Sequence, residues 1–185
     1  MAGRLRSFAR WLPDHLRTAT WGLVSGRRGP PRVVVQGVVL GEPGVLLSVR
    51  VDLRGWELPG GNPDPGEPEP EALAREILEE TGVQVEVERL VGSYHREGFL
   101  PHVARVYRCR AVGGAPRPSL ETPRVAWWDP ERPPGTLLPW YRGPLRDALA
   151  PEAPPVERRE RHGLAAIWAG FVIDLRMRWS GDRAT

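Results

Sequence analysis

Lysine is absent from this 185-residue sequence, so its 26 positively charged side chains other than histidine are all arginine. Arginine suits phosphate recognition because its planar group donates two parallel hydrogen bonds. A coding bias that also favours alanine, glycine and proline produces the same count, so the count alone identifies no ligand. The formal net charge of +3 is small and does not by itself indicate a nucleic-acid partner.

Cysteine is nearly absent, and long apolar runs and a secretory leader are not found. The single cysteine, Cys109, cannot form an internal disulfide, so we expect a reducing cytoplasmic setting and a small buried side chain. No apolar run approaches the roughly 20 residues that span a bilayer. The amino terminus lacks the apolar core and cleavage site of a secretory signal.

The composition, at 41% hydrophobic and 26% charged residues, is that of a globular protein. β-branched and alternating patterns predict an α/β domain over residues 32–150. We expect a hairpin, a short helix, three more strands, a loop over 94–102 and a last helix. The predicted strands cover residues 33–40, 45–51, 83–88, 103–112 and 124–128, and the last helix falls within 137–150.

Two terminal segments flank this domain. Residues 1–31 contain an apolar stripe with arginines beside it, which predicts a basic amphipathic helix. We favour its packing on the domain over peripheral membrane contact. Residues 151–185 are predicted to be a linker, a charge run and a helix that packs on the domain or on a second copy, which leaves a homodimer open. The stripes are Leu5, Phe8, Leu12 and Leu16, and Leu164, Ile167, Trp168, Phe171 and Leu175.

The most informative stretch runs from residue 60 to residue 83, GGNPDPGEPEPEALAREILEETGV. Glu76, Glu79 and Glu80 lie three and four residues apart, on one face of the predicted helix. Like charges this close repel one another unless a cation lies between them. Mg²⁺ prefers such oxygen ligands, so the spacing alone predicts a shared cation-binding face.

This stretch resembles the Nudix box, the defining motif of the Nudix hydrolases, at every specified position. Chance would produce such a match about once in ten million chains. The matching residues are Gly61, Glu67, Arg75, Glu76, Ile77, Glu79, Glu80, Gly82 and Val83. The resemblance implies a Nudix-type α/β/α sandwich with a mixed sheet. Residues 1–32 and 150–185 fall outside what the motif explains.

The resemblance also implies an activity: hydrolysis of the diphosphate linkage of a nucleoside diphosphate derivative, with water attacking phosphorus. Mg²⁺, or Mn²⁺, is the implied cofactor, held by Glu76, Glu79 and Glu80 with the Gly60 or Gly61 carbonyl. One carboxylate would take the proton of the water, and which one is left open. The alternative is a Nudix-like sensor that binds a nucleotide metabolite without turnover.

The neighbouring residues have less specific roles. Arg75 is expected to orient a carboxylate of the cluster, and Glu67 to brace the loop or to bind metal. The expected ligand is a small nucleotide, not a nucleic acid, and the group attached to the diphosphate is not assigned. The candidate substrate contacts are Arg50, Arg54, Trp56, Phe99 and Glu121. For the arginines a solvated role competes with a substrate role, and for Trp56 core packing does. For Glu121 the resemblance also implies an extra metal ligand or a base.

Overall fold

A mixed β-sheet of seven strands organises the computed structural model, which describes residues 32–98, 101–151 and 154–179. The β-branched and alternating segments of the sequence form these strands, as their propensities predict. The strands are β1 Arg32–Gly41, β2 Gly44–Val49, β3 Trp56–Glu57, β4 Val83–Gly98, β5 His102–Gly114, β6 Arg124–Trp128 and β7 Val156–His162.

The strand order is β3-β2-β1-β5-β4-β7, and β6 pairs antiparallel with β2. The predicted hairpin of β1 and β2 is confirmed as an antiparallel pair. β1 and β5 are parallel, β4 and β5 antiparallel, and β4 and β7 parallel. The sheet is therefore mixed, as expected.

Three α-helices accompany the sheet in the described ranges: α1 Glu69–Thr81, α2 Arg142–Leu149 and α3 Leu164–Trp179, with a 3₁₀ turn Pro139–Tyr141 before α2. α1 begins with Pro70 in its first turn, where a missing N–H costs no hydrogen bond. Gly82 ends it in the left-handed conformation with φ 75°, and its N–H bonds to the Leu78 carbonyl. The helix that carries the glutamates is thus short and closed at both ends.

Each face of the sheet has its own apolar core. α1 packs Leu73 and Ile77 against Val35 and Val39 of β1. Gly37 makes this contact close, since a Cβ there would lie 2.7 Å from Ile77 Cδ1. On the other face, α2, the 3₁₀ turn and the two residues before that turn contribute a second group: Leu137, Leu138, Tyr141, Leu145 and Ala148. Helices on both faces complete the α/β sandwich predicted from the sequence.

The predicted loop over residues 94–102 is wrong for its first half, because β4 continues to Gly98. Side-chain and backbone pairing explain the extension. The Tyr94 hydroxyl donates to Asp147 Oδ2 of α2 at 2.8 Å. β7 pairs with β4 from Gly92 to Gly98, so the extended backbone is hydrogen-bonded on both sides.

The charge run after residue 156 forms β7, a strand that the sequence pattern did not predict. Its charges find partners on both faces of the sheet. Arg158 bonds to Asp147 through both carboxylate oxygens, and Glu157 Oε2 lies 2.8 Å from His95 Nε2. Because β7 joins the sheet directly, part of residues 151–185 is continuous with the domain over 32–150.

None of the helices in the described ranges is long and apolar enough to cross a membrane. The amphipathic helix predicted within residues 1–31 lies outside the described residues. The terminal helix predicted after residue 163 is observed as α3.

Candidate active site

The loop before α1 is held against β1 by its backbone. The Gly37 N–H donates to the Pro59 carbonyl, and the Val35 N–H donates to the Gly61 carbonyl, each at 2.9 Å. Gly60 has φ 144°, and a Cβ there would lie 2.2 Å from the Val35 carbonyl oxygen. Only glycine fits this conformation and this space.

Gly61 leaves room for a carboxylate of the helix. A Cβ at Gly61 would lie 2.4 Å from both Cδ and Oε2 of Glu76. The Glu76 carboxylate therefore rests directly on the loop backbone, in a cradle that any side chain would fill.

Glu80 reaches the same loop from the next turn of the helix. Its side chain is buried, with 6% of the residue exposed, and Oε2 accepts the Gly60 N–H at 3.1 Å. Burial is the main cause that raises the pKa of Glu80 to about 7, and the Glu76 and Glu121 charges contribute to the same rise. The Gly60 hydrogen bond and the Arg50 charge lower it only in part.

Arg75 links the carboxylates to the loop. Its Nε and Nη2 donate to the two oxygens of Glu67 at 2.9 and 2.8 Å, and Nη1 donates to Glu76 Oε1 at 3.1 Å. Glu67 also accepts the Asp64 N–H at 2.9 Å. The hydrogen bonds from Arg75 hold the pKa of Glu67 at about 2. Glu67 therefore links Arg75 of the helix to the loop backbone at Asp64, as expected of a residue that stabilises the loop.

The types of donor at this site, carboxylates and a backbone carbonyl, match a hard divalent cation in their chemistry. Carboxylate oxygens are the ligands such cations prefer, and a carbonyl has two lone pairs, of which Val35 uses one at Gly61. Glu79 is 61% exposed and its Oε2 lies 3.5 Å from Arg75 Nη1. Within the described residues, no three His, Cys, Asp or Glu side chains are gathered closely enough to hold a metal. In this structure Glu76 accepts a hydrogen bond from Arg75, and Glu80 accepts one from the Gly60 N–H.

A buried polar cluster beside this site was missed by sequence reasoning. Tyr141 donates to Glu57 Oε2 at 3.1 Å, and Gln36 Nε2 donates to the Tyr141 hydroxyl at 3.3 Å. Gln36 Oε1 is buried and has no hydrogen-bond partner among the residues that the structure describes. Burial raises the pKa of Glu57 to about 8, against the opposing charge of Arg50. These residues lie far apart in the chain, so no local pattern marks them.

Of the predicted substrate contacts, Arg50 and Glu121 lie near the carboxylates. Arg50 Nε is 4.0 Å from Glu57 Oε1 and 3.0 Å from Asp52 Oδ1. Both Arg50 and Glu121 act electrostatically on Glu80. The Glu121 carbonyl accepts the Val51 N–H at 3.1 Å, which holds this exposed residue beside the end of β2.

The other predicted contacts are placed differently. Trp56 is 3% exposed, and its ring meets Trp128 edge-on at 5.3 Å between centroids. Arg54 lines a cavity beside α3, and its buried Nε has no hydrogen-bond partner within the described residues. Phe99 lies outside the described residues. The substrate roles of all three stay predictions.

Comparison with known proteins identifies the family. A family model for the NUDIX domain matches residues 30–148. A "MutT-like protein" of Streptomyces ambofaciens is 40% identical over 139 residues, covering 75% of this chain and 88% of that protein. A "Putative 8-oxo-dGTP diphosphatase" of Bacillus subtilis (strain 168) is 36% identical over 56% of this chain and 69% of that protein.

The fold agrees with this match. The crystal structure of a NUDIX hydrolase from Nitrosomonas europaea has a TM-score of 0.64 at 22% identity, covering 73% of this chain and 81% of that chain. The chain belongs to the Nudix family. Its members generally use divalent metals. Within that family it is a Nudix-type pyrophosphohydrolase.

Proposed function

We propose that this enzyme cleaves the diphosphate linkage of a nucleoside diphosphate derivative in a Mg²⁺-dependent reaction. The observation that carries the proposal is the approach of Glu76 and Glu80 to the Gly60–Gly61 backbone, with Arg75 and Glu67 behind them. Mn²⁺ suits the same oxygen donors. We keep the cytoplasm as the expected compartment, because Cys109 has no cysteine partner.

In this proposal Glu76, Glu79, Glu80 and the Gly61 carbonyl would hold the cation. When bound, it supplies neutralisation of phosphate charge and a lower pKa for water. The protein's own contribution is to hold the two carboxylates in position. Arg75 fixes the Glu76 carboxylate, and the Gly60 N–H fixes Glu80 Oε2, so neither side chain has to be ordered during the reaction.

The reaction is a hydrolysis at phosphorus. The water oxygen bonds to one phosphorus, the bridging P–O bond breaks, and a carboxylate of the cluster takes the proton of the water. Arg50, which lies near Glu80, is our candidate for a phosphate contact, because a guanidinium pairs with phosphate oxygens.

A screen of nucleotides tests the proposal. Purified protein would be incubated with nucleoside diphosphate derivatives and nucleoside triphosphates, and products identified by mass spectrometry. 8-oxo-dGTP belongs in the panel because of the description of the Bacillus subtilis relative. We expect a nucleoside monophosphate from at least one compound with Mg²⁺ or Mn²⁺, and none with EDTA.

Two further readouts separate the proposal from its alternative. Binding of Mn²⁺, followed by electron paramagnetic resonance, should weaken in Glu76→Gln and not in Glu42→Gln, which alters an exposed turn. Tight binding of one nucleotide without hydrolysis of any would contradict catalysis and indicate the sensor.

A further inference from the structure

The segment before β6 closes the carboxyl end of helix α1. The last carbonyls of a helix have no partner within the helix and need one from elsewhere. The Arg117 N–H donates to the Thr81 carbonyl at 2.7 Å. The Thr122 hydroxyl donates to the Glu80 carbonyl, 42 residues earlier in the chain. The end of α1 that carries the glutamates is therefore held by residues 117–122.

Thr122 is fully buried, and the direction of its hydrogen bond is fixed. A carbonyl only accepts, so the Thr122 hydroxyl gives its one hydrogen to Glu80. The Ser119 hydroxyl lies 2.8 Å from Thr122 Oγ1 and therefore donates to it. Ser119 Oγ in turn accepts the N–H groups of Glu121 and Thr122 at 3.3 and 3.1 Å. Residues 119–122 thus form a closed turn that is joined to α1 through the Thr122 hydroxyl.

Glu121, within this turn, has a fixed backbone and an unpaired side chain. Its N–H is bound by Ser119, and its carbonyl accepts the Val51 N–H at 3.1 Å. Its exposed carboxylate forms no hydrogen bond or ion pair within the described part of the chain. The charge of this carboxylate nevertheless acts on Glu80 and contributes to the raised pKa there. Two carboxylates that repel each other in this way are stabilised together by a shared cation.

Hydrogen bonds rather than apolar contacts order the turn. Leu120, the one large apolar side chain among residues 119–122, is 97% exposed. Loss of the Thr122 hydroxyl would leave the Glu80 carbonyl without this donor, and it would remove no apolar side chain from the core. The position of Glu121 therefore depends on a bond that can be deleted without altering the packing of the domain.

We propose that Thr122 is a positioning residue of the cation site. Its hydroxyl holds residues 119–122 against α1, so that the Glu121 carboxylate reaches the cation that Glu76 and Glu80 bind. Glu121 supplies a further oxygen ligand, and Thr122 acts only through Glu121. This inference rests on the proposed function, because it needs the cation that the glutamates of α1 are proposed to hold.

Binding of Mn²⁺ to the full-length protein without nucleotide tests this role. The dissociation constant would be measured from the electron paramagnetic resonance signal of free Mn²⁺. Thr122→Val keeps the shape of the side chain and removes its hydroxyl, and we expect it to raise the dissociation constant by about tenfold. Glu121→Gln should raise it to a similar extent. Thr122→Ser keeps the hydroxyl and should bind Mn²⁺ like the wild type.

Tyr94→Phe is the matched control for the loss of a buried hydroxyl. Tyr94 is fully buried, and its hydroxyl donates to Asp147 of α2. This variant should lose stability and keep wild-type Mn²⁺ binding. In the double variant of Glu121→Gln and Thr122→Val, the dissociation constant should equal that of Glu121→Gln alone, because Thr122 acts through Glu121.

Several results would overturn the role of Thr122. They are unchanged Mn²⁺ binding in Thr122→Val or in Glu121→Gln, binding by Thr122→Ser as weak as that of Thr122→Val, and losses that multiply in the double variant. If Thr122→Val does not fold, Ser119→Ala decides, because it removes the hydroxyl that binds both N–H groups of the turn. Weakened Mn²⁺ binding by Ser119→Ala would support the role, and wild-type binding would overturn it.

Failure of the proposed function gives a different result. The wild type would then hydrolyse no nucleotide in the screen, whereas the Mn²⁺ measurements need no turnover. Hydrolysis by the wild type together with unchanged Mn²⁺ binding in Thr122→Val would overturn the role of Thr122 alone. Absence of Mn²⁺ binding by the wild type would overturn both.

Discussion

Gly61 is the residue at which the smallest substitution should disturb the site most directly. A methyl group at this position would lie 2.4 Å from the Glu76 carboxylate and displace it. We expect Gly61→Ala to lower kcat/KM by about ten- to a hundredfold through this displacement. Gly135→Ala is the matched control, since a Cβ there meets nothing within 4 Å. Equal activity of the two variants would contradict the cradle.

Glu57 should make stability fall with rising pH. Burial raises its pKa from 4.5 to about 8 in the folded protein. Between these values the unfolded chain has lost the proton that the folded chain keeps, so the free energy of unfolding decreases as pH rises and levels off above about pH 8. Glutamine does not titrate and can still accept the Tyr141 hydrogen bond.

The measurement is the melting temperature of metal-free protein between pH 5 and pH 8. Glu57→Gln should lose less stability over this range than the wild type. The exposed Glu131→Gln is the control and should follow the wild type. Glu80, whose pKa is also raised, should leave a smaller slope in Glu57→Gln. A slope as steep as that of the wild type would contradict the contribution assigned to Glu57.

At the scale of elements, the pair of Arg75 and Glu67 joins the loop to helix α1. Lysine keeps the charge but not the two parallel bonds to Glu67. We expect Arg75→Lys to lower kcat by about tenfold, because the carboxylates lose their alignment. Arg146→Lys, at a side chain 76% exposed, should leave kcat unchanged.

A double-mutant cycle shows whether the two residues act together. Glu67→Gln should lower kcat to a similar extent, and the double variant should be little worse than either single variant. If the two losses in kcat multiply in the double variant, Arg75 and Glu67 act independently. That result would contradict a joint role in aligning the carboxylates.

The attachment of α3 depends on a buried carboxylate. Asp174 is fully buried and accepts hydrogen bonds from the Arg54 N–H and from Arg178 Nε at 2.8 Å. Asp174→Ala leaves these donors without this acceptor and should cost roughly 2–4 kcal/mol of the free energy of unfolding. Urea denaturation should show a lower midpoint at unchanged slope, with Glu131→Ala unaffected. An unchanged midpoint would mean that α3 is held by its apolar contacts alone.

At the scale of the whole molecule, the parts predicted from sequence are those with local patterns. The hairpin, α1 and its closure at Gly82 follow from β-branched runs, helical spacing and a left-handed glycine. The candidate carboxylates could be predicted from the sequence because they all lie on one short helix.

The parts that were missed depend on contacts between distant segments. β7 consists of charged residues and becomes a strand only because β4 pairs with it and its charges find partners there. Glu57 and Tyr141 are 84 residues apart, and neither has a neighbour in sequence that marks the pair. The residues beside the carboxylates are therefore less predictable than the carboxylates themselves.

The central claim is that the glutamates of α1 carry metal-dependent hydrolysis. The most direct test compares Glu80→Gln with Glu42→Gln on the best substrate of the nucleotide screen, at saturating Mg²⁺. Since Glu80 lies buried against the Gly60 N–H, glutamine should preserve the fold while removing the charge. We predict that Glu80→Gln loses at least about a hundredfold in kcat while Glu42→Gln keeps wild-type activity. Full activity of Glu80→Gln would contradict the assignment of the site.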